Sequence, residues 1–234
     1  MRSGGRQSGI SSMSDRIIQI IVGHGGAQKA FDMNQAVWKA TTLPTMVITQ
    51  ECDPLDTLFP VVRGEWDGHC GRSSRGRMMA VLGYITHQSY DSAIVCEYDS
   101  FVLPHAFRSK RGFHGYIHQN NDLGRFYSPR YVGFPWMIDA QSAATMFETA
   151  LMYPDLWEDG YDDRFVPALA HLSGVPMLPH DPAGFFPMDL DGYAEPTITS
   201  AHSIQVDKAM RRGCLWWHGI KDQAAYDMVV GDSI

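Results

Sequence analysis

Two acidic side chains, Glu97 and Asp99, follow the short apolar run Ser92 to Cys96. Side chains of an extended strand alternate with a period of two, so both carboxylates are expected to point the same way. Like charges held this close are costly unless a positive charge separates them. A divalent cation such as Mn²⁺ or Mg²⁺, which prefers hard oxygen ligands, would do so. The spacing predicts a metal site; the alternative is that one carboxylate caps a turn and the other is solvated.

The elements that must position these carboxylates alternate between strand and helix. The β-branched apolar runs Arg16 to Val22 and Thr45 to Thr49 are typical of buried parallel strands. A helix from about Gln28 to Thr41 between them completes a βαβ unit. A second helix, from about Arg72 to His87, leads into the strand that begins at Ser92. Because ligands collect at the carboxyl ends of such strands, the acidic pair lies where a site is expected.

The second half of the chain is predicted to be less regular. Residues 100 to 135 indicate a long loop rich in aromatic and basic side chains. Helices are expected over Ala140 to Met152, Asp163 to Leu172 and near Ala201 to Arg212, and a last strand over Cys214 to Trp217. The order of elements predicts the α/β class, preceded by a flexible leader over residues 1–15.

The triplet Glu97-Tyr98-Asp99 resembles the D-x-D motif of GT-A-type glycosyltransferases, with Glu in place of the first Asp. In that family a strand-helix-strand nucleotide-binding half leads into a helix and then into the acidic triplet, which is the order found here. The resemblance covers residues 16–222. It implies a three-layer α/β/α fold with a mostly parallel central sheet in one domain, 16–234, with a nucleotide-binding half over 16–100 and an acceptor-binding half over 101–222.

The C-terminal segment His218-Gly219-Ile220-Lys221 resembles a second element of the family, a His that binds the metal and a Lys that meets the diphosphate. The resemblance thus implies a cation, Mn²⁺ or Mg²⁺, held by Asp99, Glu97 and His218, and a nucleotide-diphosphate sugar as donor. Such a cation and Lys221 would stabilise the departing diphosphate. The alternative for His218 is a histidine packed beside the two preceding tryptophans, and the family's Pro-Trp continuation after Lys221 is missing.

An acidic cluster before a late helix resembles the family's acceptor-binding segment. It contains Glu158, Asp159, Asp162 and Asp163, and in inverting members one such carboxylate is the general base. We expect Asp163, then Asp162, to act in catalysis. The alternative is helix capping, which Asp favours at a helix start.

Basic residues must neutralise the rest of a diphosphate. Arg77 and Arg72, at the start of the helix before the acidic strand, are the candidates for contact with the nucleotide. The glycines after the first strand, beginning with Gly23, allow a nucleotide to approach the backbone closely. This loop is neither a G-x-G-x-x-G fingerprint nor a P-loop.

Composition bounds the remaining possibilities. The charge of -7 offers no broad attraction to nucleic acid, although basic residues cluster between Arg108 and Arg130. The apolar runs are too short to span a bilayer, and the leader lacks the apolar core of a signal peptide, so the expected location is cytoplasmic. The four cysteines show no zinc-like spacing, and Cys96 and Cys214 are expected to be buried thiols.

The resemblance to the GT-A family implies a metal-dependent glycosyltransferase. Two alternatives stay open: a nucleotidyltransferase, which would normally carry a basic Gly-rich loop after its first strand, and a non-catalytic nucleotide- or glycan-binding protein. The acceptor is left open among a glycan, a protein, a small molecule and modified DNA. Inversion or retention at the anomeric carbon and the oligomeric state are not indicated.

Overall fold

The structure is a computed structural model that describes residues 16–23, 25–51, 55–64, 74–103, 111–119, 130–154, 162–179, 211, 213–221 and 223–231. Its strands are β1 (Ile17–Val22), β2 (Thr45–Gln50), β3 (Val61–Gly64), β4 (Ser92–Glu97), β5 (Phe101–Val102), β6 (Phe113–Gln119), β7 (Arg130–Asp139), β8 (Met177–Pro179) and β9 (Trp216–Trp217). Its helices are α1 (Gln28–Ala40), α2 (Ser74–His87), α3 (Ala140–Met152), α4 (Asp162–Ser173) and α5 (Gln223–Val229), and a 3-10 turn (Gly25–Ala27) precedes α1.

The central sheet has seven strands in the order β3-β2-β1-β4-β7-β6-β8. Strands β3, β2, β1 and β4 pair in parallel, and β8 pairs in parallel with β6. Strand β7 is antiparallel to both β4 and β6, so it runs against the other strands of the sheet. A smaller sheet pairs β5 with β9. The prediction of an α/β fold with a mostly parallel central sheet is confirmed.

Both faces of the sheet are covered, which explains why β1 is apolar at nearly every position. Ile18, Ile20 and Val22 face a core that is completed by α2, α3 and α4. Ile17 and Ile21 face a second core, completed by α1, β9 and α5. Alternating side chains of one strand thus enter two different cores, and the helices form the outer layers of a three-layer arrangement.

Several elements follow the predicted bounds closely. The βαβ unit of β1, α1 and β2 is present, and β1 pairs with β2 in parallel. Helix α3 spans the predicted residues and is capped by Asp139, whose carboxylate accepts from the backbone N–H of Ser142 at 2.9 Å. Cys96 and Cys214 are buried free thiols, as expected. None of the described helices is both long enough and apolar enough to cross a membrane.

The prediction of a long loop over residues 100 to 135 is wrong. This segment contributes β5, β6 and most of β7, and the last two lie within the central sheet. The sequence of β7 contains Gly133 and Pro135, which weaken a strand pattern, because proline cannot donate to a ladder. The pairing with β4 and β6 overrides that local preference. Strands β3 and β8 and helix α5 were also not predicted.

Candidate metal centre

The acidic triplet forms a tight turn at the carboxyl end of β4. Glu97 is the last residue of the strand, and the backbone N–H of Ser100 donates to the carbonyl oxygen of Glu97 at 2.9 Å. The Ser100 hydroxyl accepts from the N–H of Glu97 at 2.7 Å, which closes the turn a second time. Asp99 is therefore a turn residue, and the turn rather than strand alternation brings its carboxylate towards that of Glu97. The expected convergence is present, but for a different reason.

The pairing of β5 with β9 brings His218 to this turn. Strand β5 begins directly after Ser100, and Phe101 is the register partner of Trp217 in an antiparallel pair. The residues that follow Trp217 therefore lie beside the residues that precede Phe101. The backbone N–H of Ile220 donates to the carbonyl oxygen of Asp99 at 2.8 Å, which extends this contact past the end of the strands.

Three side chains converge at a spacing that suits one divalent cation. His218 Nε2 lies 3.4 Å from Asp99 Oδ1 and 3.7 Å from Glu97 Oε2. One potential ligand atom from each residue lies within 4.8 Å of the other two. Ligands about 2.1 Å from one ion are about 3.0 Å apart when adjacent and about 4.2 Å apart when opposite, and both distances lie within that range. The two carboxylates suit Mg²⁺ or Mn²⁺, and the imidazole is a ligand that also suits Zn²⁺ or Fe²⁺.

Asp99 and His218 influence each other's protonation. Burial would raise the pKa of Asp99, which is only 1% exposed, but the neighbouring His218 and Lys221 outweigh burial and lower that pKa. Burial would lower the pKa of His218, but Asp99 and Glu97 raise it to about 10. Without a cation, the imidazole is therefore protonated at neutral pH and forms an ion pair with the carboxylates.

Two positively charged side chains, those of Arg77 and Lys221, lie beside the carboxylates. Arg77 on α2 reaches Glu97, with Nη2 3.6 Å from Oε1. Lys221 Nζ lies 3.5 Å from Asp99 Oδ2, and the lysine side chain is 39% exposed. His218 approaches the other oxygen of the same carboxylate. Once His218 has lost its proton to make room for a cation, the charges of Arg77 and Lys221 balance the two carboxylates. A bound divalent cation would therefore leave the cluster positive, which suits an anionic ligand such as a diphosphate.

Gly23 lies at the same edge of the sheet, because Val22 is the register partner of Glu97. A Cβ at Gly23 would lie 2.6 Å from Leu55 Cδ2 and 3.5 Å from Phe31 Cδ2. Close packing against these two buried side chains therefore explains the glycine. Approach of a nucleotide to Gly23 stays a prediction.

The acidic cluster of the second half is described only in part. Asp162 and Asp163 are the first two residues of α4, so a helix begins where the sequence predicted one. Glu158, Asp159 and Arg72 lie outside the described residues. A role in catalysis for the four carboxylates, and a role in nucleotide binding for Arg72, stay predictions.

Two side chains of α1 contact the segments that carry the candidate metal ligands and were not singled out in the sequence. Trp38 Nε1 donates to the carbonyl oxygen of Ser100 at 3.0 Å. Asn34 Nδ2 lies 3.1 Å from the carbonyl oxygen of Tyr98 and 3.0 Å from that of Ile220. One feature of the sequence could have pointed to Asn34: it is a polar residue on the helix face that carries the apolar residues Ala30, Phe31 and Trp38.

No protein-family model matches the chain, and no curated protein matches it. The chain is similar to the crystal structure of 2-C-methyl-D-erythritol 4-phosphate cytidylyltransferase from Thermus thermophilus, with 13% sequence identity and a TM-score of 0.44, covering 82% of this chain and 98% of that one. It is also similar to the nucleoside-diphosphate-sugar pyrophosphorylase from Vibrio cholerae, with 10% identity and a TM-score of 0.43, covering 70% and 91%. Likeness at this level does not identify an activity, which must follow from the chemistry of the site.

Proposed function

We propose that this protein is a metal-dependent glycosyltransferase that uses a nucleotide-diphosphate sugar as donor and Mn²⁺ or Mg²⁺ as cofactor. The observation that carries the proposal is the convergence of Glu97, Asp99 and His218 at the spacing of metal ligands, flanked by Arg77 and Lys221. Acidic ligands at the carboxyl edge of a parallel sheet also match the expected position of a nucleotide. The resemblance of the two sequence motifs to the GT-A family supports the sugar donor.

Each side chain has a distinct task in this proposal. Asp99 and Glu97 supply the oxygen ligands, and His218 supplies a nitrogen ligand once it has lost its proton. The cation, when bound, stabilises negative charge on the diphosphate. Lys221 adds a positive charge beside Asp99, and Arg77 holds the Glu97 carboxylate in place from the side of α2. The leaving diphosphate is thereby stabilised without proton transfer to it.

The acceptor side of the reaction rests on the start of α4. We assign the general base, if the enzyme inverts, to Asp163 or Asp162, with Glu158 and Asp159 as further candidates in the same acidic segment. A glycan, a protein, a small molecule and modified DNA remain the acceptor classes to test. The proposed location is the cytoplasm.

A nucleotidyltransferase is the second candidate. One observation favours it: the proposed metal ligands and the positively charged side chains of Arg77 and Lys221 all suit nucleotide phosphates, and none of them selects a sugar. The loop that leads into α1 offers little support, since the first basic side chain after β1 is Lys29, which is exposed. Release of a nucleoside diphosphate from a sugar donor supports a glycosyltransferase. Release of pyrophosphate from a nucleoside triphosphate supports a nucleotidyltransferase.

The decisive experiment is a donor screen with and without Mn²⁺. Wild-type protein is incubated with UDP-, GDP-, dTDP- and CDP-sugars, and nucleoside diphosphate release is measured together with Mn²⁺ binding by calorimetry. Asp99→Asn removes a proposed ligand from the end of β4, and Asp91→Asn, before β4, serves as the matched control. The proposal requires metal-dependent release that Asp99→Asn abolishes and Asp91→Asn keeps. Donor binding with Mn²⁺ but without turnover would instead indicate a non-catalytic binding protein.

A further inference from the structure

Asn34 connects the two segments that carry the proposed metal ligands. Its side-chain Nδ2 lies 3.1 Å from the carbonyl oxygen of Tyr98, between Glu97 and Asp99 in the sequence. The same atom lies 3.0 Å from the carbonyl oxygen of Ile220, between His218 and Lys221. One amide group on α1 therefore bonds the acidic turn and the C-terminal segment at once.

The chemistry of the partners fixes the orientation of this amide. Carbonyl oxygens only accept hydrogen bonds, so the NH₂ group and not the oxygen of Asn34 must face them. A third acceptor, the carbonyl oxygen of Ala30 one turn earlier on α1, lies 3.0 Å from Nδ2. Because the NH₂ group carries only two hydrogens, the three acceptors share them, and the contact with the helix's own backbone holds the side chain in position.

Burying the polar side chain of Asn34 costs free energy, so the hydrogen bonds that it donates must offset that cost. Asn34 is 0% exposed, and its Oδ1 has no hydrogen-bond partner among the residues that the structure describes. The other buried residues of α1 are apolar: Ala30, Phe31, Val37 and Trp38. A buried amide oxygen without a donor is destabilising, so an apolar side chain of similar size would serve packing better. The advantage of an asparagine at this position must then come from the bonds that Nδ2 donates to the carbonyl oxygens of Tyr98 and Ile220.

We infer that Asn34 is a positioning residue that sets the spacing between the carboxylates and His218 before a cation binds. This inference rests on the proposed function, because it assigns the geometry of the same metal site. Asn34 is not one of the three proposed metal ligands; it acts through the backbone of Tyr98 and Ile220. The bond from Ile220 N–H to Asp99 C=O, at 2.8 Å, depends on the same spacing.

The test combines two substitutions with a matched control. Asn34→Leu keeps the branching of the side chain and removes the donor, and Asn34→Ala removes both the branched group and the donor. Ile85→Ala on α2 is the control, since Ile85 is fully buried in the core on the opposite face of the sheet. We expect both Asn34 variants to fold and to bind Mn²⁺ about 10- to 100-fold more weakly than wild type, whereas Ile85→Ala keeps the wild-type affinity despite a lower melting temperature.

A second readout separates this inference from the proposed function. Hydrogen exchange of the Ile220 amide is measured in the metal-free protein, where protection reports the bond to Asp99. We expect faster exchange at Ile220 in both Asn34 variants and no change in Ile85→Ala. Wild-type exchange at Ile220 together with wild-type Mn²⁺ affinity in Asn34→Leu would overturn the inference. If wild-type protein binds no Mn²⁺, the proposed function fails, and exchange at Ile220 alone decides whether Asn34 positions the two segments.

Discussion

Nε2 of His218 lies 3.4 Å from Oδ1 of Asp99, and this contact joins the end of a central strand to a segment near the C-terminus. The two side chains meet because β5 and β9 pair directly beside them. Without a cation, His218 and the two carboxylates form an ion pair; in the proposed function the same three side chains are the ligands of the cation. The proposal therefore links metal binding to the protonation of His218.

Asp99→Asn should weaken Mn²⁺ binding by more than about 100-fold. Substitution of a residue that only holds a metal ligand in place weakens metal binding about 10- to 100-fold, so loss of a ligand itself should cost more. The neutral amide keeps the shape of the side chain but loses the charge that pairs with the cation. Calorimetric titration with MnCl₂ measures the effect, and circular dichroism checks that the fold is kept. Wild-type affinity in this variant would show that Asp99 is not a ligand.

Mn²⁺ affinity should rise with pH between about 6 and 8. The carboxylates raise the pKa of His218 to about 10, so a proton must leave the imidazole before its nitrogen can bind a cation. The pKa of Asp99 is lowered, so this carboxylate stays ionised throughout the range. The affinity should change by about tenfold per pH unit where one proton is released. Calorimetry in buffers of different ionisation enthalpy counts the protons, and His218→Gln should flatten the dependence.

Lys221→Ala should separate metal binding from turnover. Lys221 Nζ lies 3.5 Å from Asp99 Oδ2, so removing its charge relieves repulsion of a bound cation, and Mn²⁺ alone should bind at least as tightly as in wild type. Turnover of the donor should fall by about 100-fold in kcat/KM, because a charge that stabilises the diphosphate is lost. Lys39→Ala, an exposed lysine in the last turn of α1, is the control. Equal losses in both variants would argue against a specific role for Lys221.

Gly23→Ala should destabilise the fold by about 1 to 3 kcal/mol through overpacking, because the new methyl group would lie 2.6 Å from Leu55 Cδ2. Urea unfolding measures the free energy of unfolding. In the double variant with Leu55→Ala, the loss should be smaller than the sum of the two single losses, since the clash is removed. Strict additivity would mean that Gly23 is required for another reason.

Asp91 should contribute to stability at neutral pH and lose this contribution in acid. The backbone N–H of Arg16 donates to its carboxylate at 2.8 Å, and that bond lowers the pKa of Asp91 in the folded protein. A carboxyl group with a lowered folded-state pKa stabilises above its unfolded pKa, and the effect disappears as pH falls below about 4. The stability difference between wild type and Asp91→Asn should therefore shrink between about pH 7 and pH 3. Thermal unfolding at a series of pH values measures it.

Much of the fold could be predicted because local patterns and tertiary structure agree there. The continuous apolar run of β1 indicates burial on both faces, and β1 does lie between β2 and β4. Helix α3 has an Asp cap and an apolar stripe at helical spacing. By contrast, β6 and β7 were predicted as loop, because glycine, proline and polar residues weaken their local pattern. Strand β7 pairs with β4, and β6 pairs with β7; such pairing between distant segments leaves no local signal.

By itself, the sequence determined which side chains can do chemistry: the carboxylates of Glu97 and Asp99 after a buried strand, and His218 and Lys221 near the C-terminus. The tertiary structure alone decided how they meet. A turn closed by Ser100 brings the two carboxylates together. Asn34 donates to the backbone of both segments, at Tyr98 and at Ile220. These contacts depend on backbone atoms, which every residue has. Residue types therefore identify the candidate ligands, but only the folded backbone sets the distances between them.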